Sequence, residues 1–518
     1  MPMFRKFVPE FIRPWIFVIF AACFQLSGGV YMGALNEIIG ATSYTREDIL
    51  MCLYCNLAGM ACYFPILFRM KFRFPNKTLL FTAATIGAIC QIAGAYAPNL
   101  PILWAVCFVA GMCKIQGTFE CMSNIQLWMS PTRDFRVFFP ILHIFILGSM
   151  QISDFVGAYI AYAFEWQYTH FLMAGIFMCV ALIVVVCTQR IHILPKFPLL
   201  GIDWVGSLMW AALLFELTYI FNYGEQLDWW NSSTIRHFTY STIVTALLVL
   251  LRTFSVRHPW IDPWVFTFKK ARILFIFTAI AELFLATEYV CEEVFMENAL
   301  EYSTMANATL DLFMFLGCIA GCIFSLIWLK MFDRNKFRLI TIGFIALCTY
   351  LVMYYNLLDV NINIEKLYLP IAIRGFAYAV ISITCMLILE LSMPFPIFFQ
   401  SLSVFNMLHM VIGGVLGTAL YTQMLKYYIV DNIARYGNKF DHVMMGKLDI
   451  NFGNIIEQYI IDAQVISIKQ IYGWVAYGCI FFTILLCLYK MPTVQRGIAK
   501  MPNWRTIGKT MRIAHDNE

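Results

Sequence analysis

Runs of about 20 consecutive apolar residues recur along this chain, and nothing else constrains its fold as tightly. At 1.5 Å per residue, a helix of about 20 residues matches the roughly 30 Å hydrocarbon core of a bilayer. Bounded by charges, Pro or Gly, such runs fall near residues 14 to 36, 48 to 68, 78 to 96, 102 to 127, 137 to 161, 168 to 188, 204 to 223, 237 to 255, 273 to 295, 308 to 330, 338 to 357, 368 to 391, 400 to 425 and 471 to 489. Only 13% of residues are charged and 61% are hydrophobic, against the roughly 25% charged content of a soluble domain. Lipid offers the backbone no hydrogen bonds, so spans of this length must be helical. The expected fold class is therefore an all-α polytopic membrane protein with fourteen transmembrane helices.

Lys and Arg alternate between loops in the way that sets orientation. Arg5, Lys6 and Arg13, then Arg69, Lys71, Arg73 and Lys77, then Arg252 to Arg272, then Lys330 to Arg338, and finally Lys490 to Arg512 fall on one side, while the opposite short loops hold few. This predicts cytoplasmic N- and C-termini. The first span reads as a retained signal anchor, because a basic start leads into a full-length span with no small-residue cleavage site. The net charge of +5 is mostly a topology signal, with the basic tail at 491–518 able to lie on anionic lipid and no indication of nucleic-acid binding.

Two Pro-bearing basic stretches, Gln189 to Asp203 and Arg252 to Arg272, divide the spans into six, two and six. The predicted domains are an N-terminal six-helix bundle (1–189), two inserted helices (190–256), a C-terminal six-helix bundle (257–490) and the tail (491–518). Two bundles rocking about a midplane site is a common transporter plan. Between the last two spans, residues 427–470 form a long outer loop. Helical spacing of its apolar residues at 454 to 466 predicts an amphipathic helix, as a cap on the outer face or as a docking surface.

Ionisable residues inside spans need protein or water around them. Lys114 and Glu120 lie on the fourth span, Asp154 on the fifth, Glu282 and Glu288 on the ninth, Asp311 on the tenth, and Arg374 and Glu390 on the twelfth. Glu288 and Arg374 both sit toward the outer side and are expected to pair. Glu292, Glu293, Glu297 and Glu301 read as solvated mouth residues at the outer interface. Small-residue spacings at Gly28/Gly29/Gly33, Gly317/Gly321 and Gly413/Gly417 read as helix-packing contacts. Cys52 and Cys55 lack a second pair at metal-ligand spacing, so no metal or cofactor is expected. Nor does any nucleophile and base pair, H-E-x-x-H or phosphate loop suggest an enzyme.

Several segments resemble the fourteen-helix drug:proton antiporters of the major facilitator superfamily, the EmrB/QacA type. They are "GIDWVGSLMWAALLFELTYIFNYGEQLDWW", "PWIDPWVFTFKKARILF", "EYSTMANATLDLFMF", "MFDRNKFRLI", "IAIRGFAYAV" and "FNMLHMVIGGVLGTAL". The N-terminal half departs from that pattern. The helix 1 Asp position falls near Ser27, the helix 4 Arg aligns with Cys107, and the helix 5 G-P motif becomes "ISDFVGAY". The resemblance implies two six-helix bundles plus two extra helices, with a cavity lined by spans 1, 4, 9 and 12. Glu282, Asp154, Glu288, Asp311 and Glu120 are then the candidate proton-coupling carboxylates, and Lys114 and Arg374 the candidate cavity cations and ion-pair partners, Lys114 either standing in for the missing Arg or forming a structural ion pair with a neighbouring helix. It further implies a proton-driven exporter of lipophilic or amphiphilic small molecules in a bacterial inner membrane, joined to a periplasmic adaptor and an outer-membrane channel of the TolC kind. The alternatives are a symporter or facilitator for an anionic metabolite, and a nontransporting receptor or scaffold.

Overall fold

A computed structural model describes residues 3–28, 30–97, 99–129, 134–191, 199, 201–331, 336–437 and 452–489. The basic tail 491–518 and the loop holding Asp333 and Arg334 lie outside the described residues. All the extended elements are helical, and thirteen described helices are long and apolar enough to cross a membrane. The chain is a multi-pass integral membrane protein.

The first predicted span is corrected. Its helix, α1 (Arg13–Leu26), stops after 14 residues, and two short pieces follow, α2 (Val30–Gly33) and α3 (Leu35–Ala41). The break falls on Ser27 and Gly28, where the Ser27 hydroxyl donates to Phe24 O at 2.8 Å and competes with helix continuation. Glycine adds its own helix penalty there.

Next come α4 (Arg46–Arg73), α5 (Asn76–Ala95), α6 (Leu100–Met129), α7 (Phe135–Ala163) and α8 (Gln167–Cys187). Helix α4 starts with a capping box: Thr45 Oγ1 accepts from Asp48 N at 3.4 Å, and Thr45 N donates to Asp48 Oδ2 at 2.8 Å. The inserted pair is α9 (Trp204–Tyr223) and α10 (Ser233–Ser255), with a short α11 (Trp264–Thr267) after it. Asp203 of the D-W-x-G motif caps α9, accepting from Gly206 N at 2.8 Å and from Arg252 Nη2 at 2.6 Å. Helix α10 packs on α9 and leaves Leu247, Leu250, Leu251 and Phe254 exposed, as a lipid-facing helix does.

The remaining helices are α12 (Lys269–Leu285), α13 (Thr304–Met331), α14 (Lys336–Leu357), α15 (Tyr368–Ser392), α16 (Phe395–Leu408), α17 (Thr418–Gly437) and α18 (Phe452–Leu488). The amphipathic stretch at 454–466 is the start of α18 and not a separate helix, and α17 runs on to Gly437. These extensions pair, with Asn432 Nδ2 donating to Ser467 Oγ at 2.9 Å.

Packing is closest where glycine removes a side chain. A Cβ at Gly317 or Gly375 would meet backbone atoms of Ala372 or Met314 respectively, so α13 and α15 touch backbone to backbone. Helix α13 also lies along α7, and α16 along α4, joining the two halves of the chain. Across the second seam Ser403 Oγ donates to Ala61 O at 2.7 Å and Asn406 Nδ2 to Leu57 O at 3.1 Å.

Candidate functional site: two cavities sharing a wall

Two cavities lie back to back between the halves. One, of about 520 Å³, lies toward the face that carries the N-terminal segment and the α4–α5 connection, reaching Met3, Phe74 and Asn76. The other, of about 410 Å³, lies toward the opposite face, reaching Asn36, Arg46 and Thr304. Leu57, Met150, Tyr378 and His409 line both and so form the wall between them.

The wall carries ionisable chemistry. Glu282, only 4% exposed on α12, places Oε2 at 3.0 Å from His409 Nδ1. Tyr378 on α15 reaches the same His409 nitrogen at 3.5 Å. The backbone makes room for this cluster. His409–Gly417 is a run of wide π-helical turns, and a Cβ at Gly413 would come within 2.9 Å of Glu282 Oε2. Gly413 is thus more than a helix contact, because it clears the space that Glu282 occupies.

Of the residues singled out in the sequence, Glu282, Asp154, Glu288, Asp311 and Arg374 all line the second cavity. The expected pair forms, with Arg374 Nη2 at 3.0 Å from Glu288 Oε1. Arg374 also holds Glu292, Nη1 to Oε2 at 2.5 Å, and Glu292 accepts from the Tyr350 hydroxyl and, at 3.4 Å, from that of Tyr472. The assignment of Glu292 to a solvated mouth is therefore wrong: it is 8% exposed inside the protein. The segment continues as a 31-residue membrane-spanning unit, Lys269–Ala299, so its C-terminal third still lies among helices. Glu293 pairs with Arg46 and Glu297 accepts from Asn36 Nδ2 at 2.7 Å, both across the two halves. Glu301 alone of the four is exposed. Asp154 Oδ1 is buried without a hydrogen-bond partner among the described residues.

Glu120 stands apart from these carboxylates. It is fully buried on α6 at the first cavity, where it takes Lys71 Nζ at 3.4 Å, Asn76 Nδ2 and Gln116 Nε2 at 3.3 Å. Lys71 is accordingly more than a topology marker. Glu390 lines neither cavity, and Glu216 binds Ser241 of α10 at 2.5 Å. Lys114 lines the first cavity, 6% exposed, with its ammonium against Gly28 at the break after α1. The sequence reading missed His409. A histidine inside a span, in "FNMLHMVIGG", was the signal, since an ionisable residue at membrane depth requires a partner.

No protein-family model matches the chain. A curated relative, described as the uncharacterized MFS-type transporter YcnB of Bacillus subtilis (strain 168), is 21% identical over 200 residues, 38% of this chain. The chain spans only 40% of that relative's length. Among solved structures, the nucleoside transporter NupG superposes with a TM-score of 0.52 at 15% identity, covering 92% of this chain and 98% of that one. The human organic anion transporter MFSD10 (TETRAN) gives 0.54 at 9% identity, covering 92% and 100%. The fold is that of the major facilitator transporters.

Proposed function

We propose that this chain is a secondary active transporter that exports lipophilic or amphiphilic small molecules across a bacterial inner membrane in exchange for protons. The observation that carries this reading is the shared wall. Two cavities facing opposite sides are separated by a few side chains, and in that wall His409 holds Glu282, which lines the second cavity. Rocking the halves would open one cavity as it closes the other. Rocking that separates Glu282 from His409 would exchange the partner this carboxylate holds, as a proton-carrying group requires. Phe and Met dominate the lining of the first cavity, which suits bulky apolar bodies with few directional bonds. An adaptor, in the TolC-type assembly, would dock on the paired extensions of α17 and α18.

The test is flux in proteoliposomes under an imposed pH gradient. Wild-type protein should drive gradient-dependent movement of amphiphilic probes. Glu282→Gln should reduce that dependence by about tenfold or more, as expected for loss of the proton-carrying group. Flux that ignores the gradient and survives Glu282→Gln would remove proton exchange and leave the facilitator reading.

A further inference from the structure

We propose that the first cavity is a binding site for an amphiphilic organic anion, with Lys114 as its head-group ligand. This rests on the exporter reading only in taking that cavity as the substrate chamber.

Among the described residues, three that carry a formal charge line the first cavity, Lys71, Glu120 and Lys114. Lys71 and Glu120 form an ion pair with each other. Among the described residues no carboxylate lies within 4.0 Å of Lys114, and its Nζ makes no hydrogen bond to a side chain. Asp154, which acts on it electrostatically, lines the other cavity. A side chain 6% exposed thus places an ammonium in a largely apolar chamber with no bound counter-charge. Burying a charge without a partner is costly, and a ligand carboxylate would supply the partner.

The backbone points the same way. A Cβ at Gly28 would collide with Lys114 Nζ, so the break after α1 provides the space in which that ammonium sits. Around it, Phe64, Phe119, Phe138 and Met386 offer apolar surface for the body of the ligand. The second cavity has the opposite character. Among the described residues, nine carboxylates and two arginines line it, and Arg374 is already committed to Glu288 and Glu292. An anion held at Lys114 and then exposed to that acidic cavity loses its counter-charge and meets repulsion, which favours release on that side.

The experiment uses the full chain in lipid nanodiscs and three probes sharing a dodecyl chain: the carboxylate, its primary amide and the trimethylammonium analogue. Wild type should bind the carboxylate about tenfold or more tightly than the amide, the strength expected of a charge-assisted contact. Lys114→Met should erase that preference while amide binding holds, and Lys114→Arg should retain it. Equal binding of carboxylate and amide by the wild type would overturn the proposal without any variant. So would a Lys114→Met protein that loses both probes alike, which would make the ammonium a structural cation at the end of α1. Lys114-dependent carboxylate binding with no flux in the gradient assay would sink the exporter reading and leave the anion site standing.

Discussion

Arg374→Met isolates the most heavily connected charge in the protein. The Arg374 side chain is 3% exposed and holds Glu292, at 10%, and Glu288, at 24%. Methionine keeps much of the volume and removes the charge, leaving Glu292, among the described residues, with the Tyr350 and Tyr472 hydroxyls. Stripping one partner from a buried pair costs about 3–5 kcal/mol, because the other charge stays desolvated. Glu288 faces a cavity and can be hydrated, so the lower end applies, about 3 kcal/mol. That corresponds to roughly a hundredfold fall in the folded-to-unfolded ratio. Equilibrium unfolding in mixed micelles, followed by tryptophan fluorescence, reads it directly. Ser403→Ala, which removes one interhelical hydrogen bond of 2.7 Å, serves as the scale at about 1 kcal/mol. Adding Glu288→Gln and Glu292→Gln to Arg374→Met should recover most of the loss, since no uncompensated charge then remains. A loss for Arg374→Met below about 1 kcal/mol, the range of exposed pairs, would show instead that the cluster is hydrated.

Three further outcomes are expected. Gly317→Val should destabilise by about 1–3 kcal/mol in the same unfolding assay, because its side chain would strike the Ala372 carbonyl of α15. Cysteines placed at Asn36 and Glu297, whose side chains now meet end to end at 2.7 Å across the two halves, should be bridged by a short bis-methanethiosulfonate reagent, which spans the length those side chains fill. The cross-link should arrest flux reversibly on reduction, whereas unimpeded flux in the cross-linked protein would show that this face does not open. Gly413→Leu should cut gradient-driven flux at least as strongly as Glu282→Gln, because the new side chain takes the space of Glu282 Oε2, and retained coupling would show the carboxylate has room to move.

The spans after the first were legible because hydropathy acts locally. Each predicted run from 48–68 to 368–391 overlaps one observed helix, within a few residues at most ends. The break at Ser27 and Gly28 was harder to see, since apolar residues continue on both sides and only a short polar and small-residue patch marks it. The pairing of Glu288 with Arg374 could be reached from their depths along two spans. Glu292 was misplaced because span ends were set by the average bilayer thickness, whereas at 1.5 Å per residue a 31-residue unit extends about 46 Å. His409 went unassigned because its partner, Glu282, lies 127 positions away in the chain.

By itself the sequence determined that the chain is helical and membrane-embedded, because the cost of an unsatisfied backbone in lipid leaves an apolar run no other solution. It also determined which ionisable residues needed shelter there. How they are shared out depends on the packing of the helices. Arg374 is neutralised by two glutamates, Glu120 is tied to Lys71, and Glu282 meets His409 in a wall between cavities. Lys114 is left with its ammonium in the first cavity and no ion pair among the described residues. Those outcomes depend on helix rotation and on a few glycines that let backbones approach. Charge pairing acts over a few ångströms between residues far apart in the chain, so hydropathy along the sequence does not encode it.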